Sequence, residues 1–544
     1  MPLTRRSFLQ QASAFSLLPA ALPAAAQQMT MHGHDAMTQP ANPARPAVRM
    51  LHSLELTPFV DPLPLPERLH PIASAHHGQP HKLRVAMREV HAKVHRDVPA
   101  TRFWSYGAGA LAPVIEARSN QPLEIEWVNQ LPAHHFLPID FSLHGCGKEL
   151  PEVRAVVHIH GARVPTKDDG YPEDWYAPGS SRTCHYPLEQ DSATLWYHDH
   201  AMGLNRLNMY AGLFGLFLVR DKAEDDLNLP SGKYEVPLIL YDRDFTADGQ
   251  LFYPTSGDPD HPWVPEFYAD GILVNGKIRP FLEVEPRLYR FRVLNGANSR
   301  FFGLSLSHKT PFHQIGSDQG LLPAPVQLTS LLLAPAERVD LLIDFSQFAG
   351  QQVHLSDGAF EILQFRVANT ATASQTGHDS AKLIPATLRP VPRIPESEAI
   401  VTRTITLNEY QDKVRNPMVM LLNRKHWHEP VTELPRLNST EIWEFVNLTE
   451  DVHPMHLHLV KFQLLDRRTF NTFAYQMHKQ LEFRAPAMLP APAELGWKDT
   501  IQCPPGVITR IIVRFDGYPG KYLYHCHILE HESNDMMRPF EVVA

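Results

Sequence analysis

The stretch Tyr524-His525-Cys526-His527-Ile528-Leu529-Glu530-His531-Glu532, with Met536 shortly after it, is the most informative part of this chain. A β-strand points successive side chains to opposite faces, so an extended backbone here places Cys526 on one face and its two neighbouring histidines on the other. One thiolate, two imidazoles and a thioether are the ligands of a mononuclear electron-transfer copper site. The stretch therefore predicts a strand with metal ligands on both of its faces.

The spacing His-x-His recurs beside three predicted strand segments. The pairs are His158-Ile159-His160, His198-Asp199-His200 and His456-Leu457-His458, the last with His453 just before it. Residues two apart share one face of a strand, so each pair can offer both imidazoles to one metal cluster. A single pair in a histidine-rich chain could be a surface accident. Four pairs, one of them with a cysteine at its centre, predict a shared metal centre.

The number of ligands favours copper over other metals. The motifs hold ten histidines, one cysteine and one methionine. A blue-copper site uses two histidines, the cysteine and a weak axial methionine, and the remaining histidines suit a cluster of three copper ions. A zinc enzyme commonly keeps three ligands, often including a carboxylate, and one open position. Zinc therefore fits this set poorly.

The four motifs, in this order, resemble the copper-binding signatures of the multicopper oxidases. The sequence around them is similar to the branch of that family that contains the bacterial spore-coat laccases and bilirubin oxidase, over nearly all of the mature chain. The similar runs are His158–Gly161, Asp169–Glu173, Trp196–His200, Ile315–Asp318, Leu331–Arg338 and His525–Phe540.

The resemblance implies four copper ions: one type 1, one type 2 and a coupled type 3 pair. The implied type 1 ligands are His453, Cys526, His531 and Met536. The implied type 2 ligands are His158 and His456, and the implied type 3 ligands are His160, His198, His200, His458, His525 and His527. The resemblance also gives Asp169 and Glu532 a role in delivering protons. Other interpretations of these two residues are a turn position and a solvated carboxylate.

The composition predicts an all-β protein of several domains. A chain of 544 residues is too long for one hydrophobic core. Its 49 prolines and 28 glycines favour many short strands joined by loops. We divide it into blocks at 50–220, 221–369 and 396–544, with a linker rich in Ala, Thr, Ser and Pro at 370–395. The resemblance implies that each block is a cupredoxin-like Greek-key β-barrel, with the three-copper cluster between the first and the third.

The N-terminus predicts export. Residues 1–26 resemble a twin-arginine signal peptide, with Arg5 and Arg6 before a mild apolar region and a small-residue cleavage site. We therefore expect the twin-arginine export machinery as a partner and a periplasmic or secreted protein. Residues 27–49 form a polar segment whose Met and His residues could bind copper weakly or be incidental. We expect no transmembrane span after the signal, and the net charge of −9 argues against a nucleic-acid partner.

The four cysteines allow at most one intramolecular disulfide once Cys526 is committed to a metal. We favour Cys146 with Cys184, since both lie in the first block. Buried unpaired thiols are the alternative.

The resemblance implies a laccase-type oxidase. Such an enzyme takes single electrons from phenolic or related aromatic donors and reduces dioxygen to water. The expected partners are therefore dioxygen and a small aromatic or metal-ion reductant. A Cu(I) or Mn(II) metallo-oxidase, a bilirubin oxidase and an aminophenol oxidase stay open as alternatives. A copper-free scaffold protein or a nitrite reductase fits the complete ligand set less well.

Overall fold

The computed structural model describes residues 48–72, 79–370, 384–412 and 416–544. The predicted signal peptide, nearly all of the predicted segment 27–49 and residues 371–383 of the predicted linker lie outside these ranges. The described strands form six sheets, and each sheet takes its strands from a single region of the chain. Three regions of two sheets each result.

The first region contains nine strands in sheets of five and four. They are β1 Arg68–Leu69, β2 His81–Ala92, β3 Thr101–Ser105, β4 Val114–Arg118, β5 Leu123–Asn129, β6 Val157–His160, β7 Ser181–Tyr186, β8 Ala193–Asp199 and β9 Phe214–Arg220. The strand orders are β1-β4-β9-β8-β6 and β3-β2-β5-β7. Strand β6 lies at the edge of its sheet, where both of its histidines reach the third region.

The second region contains thirteen strands. They are β10 Glu235–Phe245, β11 Leu251–Phe252, β12 Gly271–Val274, β13 Lys277–Ile278, β14 Phe281–Val284, β15 Leu288–Asn295, β16 Phe302–Leu306, β17 Phe312–Ser317, β18 Gly320–Leu328, β19 Ser330–Leu333, β20 Arg338–Asp344, β21 Gln352–Asp357 and β22 Phe360–Val367. The strand orders are β13-β12-β10-β15-β20-β17-β18, with β11 paired to β10, and β14-β22-β21-β16-β19.

The third region contains nine strands. They are β23 Ala399–Asp412, β24 Asn416–Leu422, β25 Thr440–Asn447, β26 His453–Leu457, β27 Phe462–Thr469, β28 Thr500–Cys503, β29 Val507–Arg514, β30 Gly520–Cys526 and β31 Met537–Val542. The strand orders are β24-β23-β25-β29-β27 and β28-β26-β30-β31. Strands β26 and β30 are neighbours in the smaller sheet, so the two C-terminal histidine motifs lie side by side.

The α-helices among the described residues are few and short. They are α1 Asn205–Ala211, α2 Lys222–Asp225, α3 Thr472–His478 and α4 Leu529–Glu532. Every helix among the described residues is too short or too polar for a transmembrane span. The prediction of an all-β protein is confirmed. Each predicted block encloses one pair of sheets. The exact block boundaries remain a proposal.

Aromatic packing joins the first two regions into one core. The ring of Phe214 in β9 meets Tyr241 in β10 edge to face, with 5.2 Å between centroids. The third region has its own core, which contains Cys526 and Met536 together with Phe301 and Ala334 of the second region. Strands β26 and β30, which carry the C-terminal histidine motifs, are thus anchored in well-packed apolar surroundings. This packing limits the movement of their side chains.

All four cysteines are buried free thiols, so the expected disulfide between Cys146 and Cys184 is wrong. The two thiols meet different side chains. Cys146 lies in the loop before β6, with its Sγ 3.9 Å from the Arg154 guanidinium. Cys184 lies in β7 opposite Ile125. Membership of the same block does not bring the two cysteines into contact.

Candidate metal centre

The first two histidine pairs come together because β6 and β8 are antiparallel neighbours. His158 lies opposite His198 in the register of the two strands. His160 ends β6, and His200 follows the last residue of β8. All four imidazoles are buried. The strand conformation predicted for both pairs is confirmed.

The C-terminal motifs meet in the same way on β26 and β30. His456 lies opposite His525, and Met455 lies opposite Cys526. Cys526 groups with His453 and the later His531, whereas His525 groups with other histidines. The predicted placement of Cys526 and His525 on opposite faces of one strand is therefore confirmed.

The ligand atoms on the Cys526 face are spaced for a single ion. The Cys526 Sγ lies 3.5 Å from Nδ1 of His453 and 3.8 Å from Nδ1 of His531, and the two nitrogens are 3.3 Å apart. Ligand atoms about 2 Å from a shared ion at trigonal angles lie roughly 3.5 Å from one another. Two imidazoles and one buried thiol at this spacing fit copper.

Met536 reaches this site through a tight turn after α4. Asp535 has a φ of 70°, in the left-handed region. The Met536 N–H donates to the His531 carbonyl, and the Met536 carbonyl accepts from the Cys526 N–H, both at 3.0 Å. Met536 is fully buried in the core that holds Cys526. Its backbone is thus hydrogen-bonded to two of the predicted type 1 ligands, and its role as the axial ligand stays a prediction.

The other eight histidines form one cluster between the first and third regions. Within each of three groups, two of which share His160, the possible ligand atoms lie within 4.8 Å of one another. The groups are His160 with His198 and His527, His200 with His458 and His525, and His158 with His160 and His456. The structure thus brings together every predicted histidine, with six of them in two separate sets of three.

Hydrogen bonds fix the tautomers of these imidazoles. Nδ1 of His158 donates to the Asp169 carbonyl at 2.6 Å, and Nδ1 of His456 donates to the Asp499 carbonyl at 2.8 Å. His160 is reversed, because its Nε2 faces the Asp499 carboxylate. The opposite nitrogens of these three rings are buried with no hydrogen-bond partner among the described residues. A bound metal ion would satisfy them, since a ring held by one nitrogen presents the lone pair of the other.

Burial favours the neutral form of six of the clustered imidazoles. It lowers the pKa well below the usual histidine value for six rings, and repulsion from neighbouring residues lowers it further. The six are His160, His198, His200, His456, His458 and His527. In the mononuclear site, burial lowers the pKa of His453 to about 4. Neutral imidazoles are the form that binds metal ions.

The two predicted carboxylates lie on different sides of the cluster. Oδ2 of Asp169 accepts a hydrogen bond of 2.7 Å from Nδ1 of His458. Glu532, in α4, has Oε2 at 3.2 Å from Nδ1 of His525 and Oε1 at 2.5 Å from the side-chain nitrogen of Asn205. Both carboxylates are almost completely buried. Neither is the solvated carboxylate that one interpretation of the sequence allowed.

The turn that carries Asp169 is fixed by its neighbour. Gly170 has a φ of 83°, in the left-handed region, and a Cβ on it would collide with the Val157 carbonyl of β6. A glycine is therefore required where the turn passes close to β6. The turn interpretation and the proton-delivery interpretation of Asp169 are thus compatible.

Sequence reasoning missed Asp499. Its Oδ1 lies 3.0 Å from Nε2 of His160, and its carboxylate forms an ion pair with the buried Arg338 of β20, where Oδ2 is 2.5 Å from the guanidinium. The second region thus reaches the cluster through side chains that bind this carboxylate, since the side-chain nitrogen of Gln319 also donates to its Oδ2 at 2.7 Å. The available signal was Arg338 at the end of Leu331–Arg338, a run already singled out.

Two family models match the chain, over residues 87–224 and 398–544, and both are described as multicopper oxidase. A laccase from Bacillus subtilis is 44% identical over 516 residues, which cover 90% of this chain and 99% of the relative. A laccase from Bacillus stratosphericus is 43% identical over 517 residues, with 90% and 100% covered. Among solved structures, a laccase from Pediococcus acidilactici superposes with a TM-score of 0.73 at 27% identity and covers 89% of this chain and 94% of its own.

Proposed function

Because the chain belongs to the multicopper oxidase family, we propose that its mononuclear site holds one copper ion and its histidine cluster three. The protein is a laccase-type copper oxidoreductase that uses dioxygen as electron acceptor. The observation that carries the proposed division is the separation of the donors across β30. Thiolate and imidazole lie on one face, and imidazole alone lies on the other.

The geometry supports the ligand assignment drawn from the resemblance. We assign the type 1 ion to His453, Cys526, His531 and Met536, and the type 2 ion to His158 and His456. We assign one type 3 ion to His160, His198 and His527, and the other to His200, His458 and His525. The two separate sets of three histidines support the division of the type 3 ligands.

The bound copper ions supply one-electron oxidation of the donor and four-electron reduction of dioxygen to water. The chain connects the two sites with covalent bonds, since Cys526 is joined directly to His525 and His527 through the backbone. We propose that electrons from a phenolic or related aromatic donor follow this route. The rings of the cluster are buried, which keeps bulk water away from it.

We propose that Asp169 and Glu532 deliver the protons that water formation requires. Asp169 accepts a hydrogen bond from His458, and Glu532 has a carboxylate oxygen 3.2 Å from Nδ1 of His525 that has no hydrogen-bond partner among the described residues. General acid groups must lie within hydrogen-bond reach of the group they serve. Asp169 serves the side of His458, and Glu532 serves the side of His525.

The proposed export route and location of the protein rest on the sequence alone. We propose export through the twin-arginine route and a periplasmic or secreted location, on the strength of residues 1–26. Export of an already folded protein suits a chain whose metal ligands come from regions far apart in sequence.

Metal analysis combined with oxygen uptake tests the proposal. Four copper ions per chain, an intense visible absorption from the thiolate–copper site, and oxygen uptake driven by 2,6-dimethoxyphenol are the expected results. Uptake driven by Cu(I) or Mn(II) but not by phenols would replace the aromatic donor with a metal ion. Four bound copper ions without oxygen uptake from any donor would overturn the proposed transfer of electrons from the mononuclear site to the cluster.

A further inference from the structure

Another His-x-His lies outside the copper centre, in the loop after β24. His426-Trp427-His428 places two imidazoles on the surface, with ring centroids 5.8 Å apart and planes 14° from parallel. His144, from the first region, faces His428 at a centroid distance of 6.3 Å. Three imidazoles from two regions therefore lie next to one another on the surface, with His428 between the other two.

The loop that carries this pair is held rigidly. The buried Arg538 of β31 donates hydrogen bonds to the carbonyls of His426, Trp427, Glu429 and Pro430. The indole N–H of Trp427 donates to Glu173 at 3.0 Å. A loop held by hydrogen bonds to four of its carbonyls loses little conformational entropy when its side chains bind a ligand.

A carboxylate orients one of the three rings. Nδ1 of His426 donates to Oδ2 of Asp535 at 2.6 Å, which leaves Nε2 of His426 as the free nitrogen. Carboxylates hold metal-binding histidines in this way in many proteins. The side chains of His144 and His428 are exposed and form no hydrogen bond or ion pair within the described residues. Their nitrogens are available to a ligand.

We propose that His144, His426 and His428 bind one divalent transition metal ion in addition to the copper of the oxidase centre. Rings that share an ion about 2 Å from their nitrogens have centroids roughly 5–6.5 Å apart, and both measured distances fall in this range. Neutral imidazoles without a thiolate select Cu(II), Zn(II) or Ni(II). Water completes the coordination, and the ion joins the first region to the third.

Calorimetric titration of the full-length copper-loaded protein with Zn(II) tests the site. His32→Ala and His34→Ala are present in every variant, so that the N-terminal segment does not compete. We expect one equivalent of Zn(II) to bind. His144→Ala and His428→Ala should each weaken binding at least tenfold, and Asp535→Asn should weaken it about 10–100-fold. His478→Ala, which removes an exposed histidine at the end of α3, should leave it unchanged.

Two further readouts separate this site from the copper centre. Copper content and the thiolate–copper absorption of the His144→Ala and His428→Ala variants should equal those of the parent, before and after titration. Zn(II) should raise the unfolding temperature of the parent, because an ion that binds only the folded state stabilises it. It should not raise that of the double variant, which combines His144→Ala with His428→Ala. Failure of the parent to bind an equivalent of Zn(II), or equal binding by the double variant, would overturn the proposal.

Discussion

Nε2 of His160 lies 3.0 Å from Oδ1 of Asp499, although 339 residues separate the two in the chain. The same carboxylate forms an ion pair with Arg338, so the three regions of the protein meet at one buried group. Burial acts to raise the pKa of Asp499, but the Arg338 guanidinium outweighs it and holds that pKa well below its usual value. Asp499 therefore stays ionised near neutral pH.

Asp499→Asn should destabilise the protein by about 3–5 kcal/mol, because it leaves the charge of Arg338 buried with a weaker partner. Loss of the carboxylate also releases the tautomer of His160, so the copper content should fall below that of the parent. Chemical unfolding and metal analysis measure both effects. Asp226→Asn removes an exposed partner of Lys222 and should cost less than about 1 kcal/mol. Equal losses in the two variants would contradict the role assigned to Asp499.

Cys526→Ser should abolish the visible absorption and the oxidation of phenols while three copper ions remain bound. The hydroxyl is a poor replacement for a thiolate ligand, and the route from Cys526 to its two neighbouring histidines begins at the sulfur. Cys503→Ala is the matched control, since Cys503 is a second buried free thiol, located in β28 opposite His453. Absorption spectra and metal analysis decide the outcome. Retained colour in Cys526→Ser would disprove the assignment of the type 1 ion.

Asp169→Asn and Glu532→Gln should each lower turnover about a hundredfold or more while copper content is kept. The amides preserve the shape of the side chains but cannot carry a proton to or from the cluster. Turnover measured across a range of pH is the informative readout, because loss of a proton donor changes the pH profile. Asp168→Asn alters the adjacent buried carboxylate and should leave the profile as it is. An unchanged profile in both amide variants would exclude proton delivery by these residues.

Asp244 should make the protein less stable as the pH rises. Burial, followed by repulsion from Asp270 and Asp242, raises the pKa of Asp244 to about 7. The folded state therefore keeps a proton that the unfolded state has lost above about pH 4. The stabilisation is complete below that pH and is lost as the pH rises through 7, by up to about 1.4 kcal/mol per pH unit.

Asp244→Asn should remove this part of the pH dependence and raise the free energy of unfolding at pH 8. Asp248→Asn, at an exposed carboxylate nearby, should change neither quantity. Unfolding curves at pH 5 and pH 8 make the comparison. The same loss of stability between the two pH values in the parent and in Asp244→Asn would show that another group is responsible.

The ligands that alternate along a strand could be predicted from the sequence. Cys526 and His525 take opposite faces because strand geometry has a period of two residues, and that period is visible in the sequence. The position of His531 depended on the resemblance, because the short helix α4 interrupts the strand pattern before it. The mononuclear site therefore needed more than periodicity.

Contacts between regions could not be predicted. Asp499 belongs to no histidine pair, and its partners Arg338 and His160 come from the other two regions. Nothing local in the sequence encodes that meeting, which depends on how whole sheets pack. The expected bridge between Cys146 and Cys184 was wrong for a related reason, since closeness along the chain was taken for closeness in space.

Strand β30 also constrains how the gene for this protein can change. The two metal sites lie back to back on one backbone, so inserting or deleting a single residue beside Cys526 would exchange the faces of the residues beyond it. The thiolate and the imidazoles would then lie on the wrong faces of the strand, and both sites would lose ligands together. We therefore expect insertions and deletions to be tolerated in the surrounding loops but not in β30.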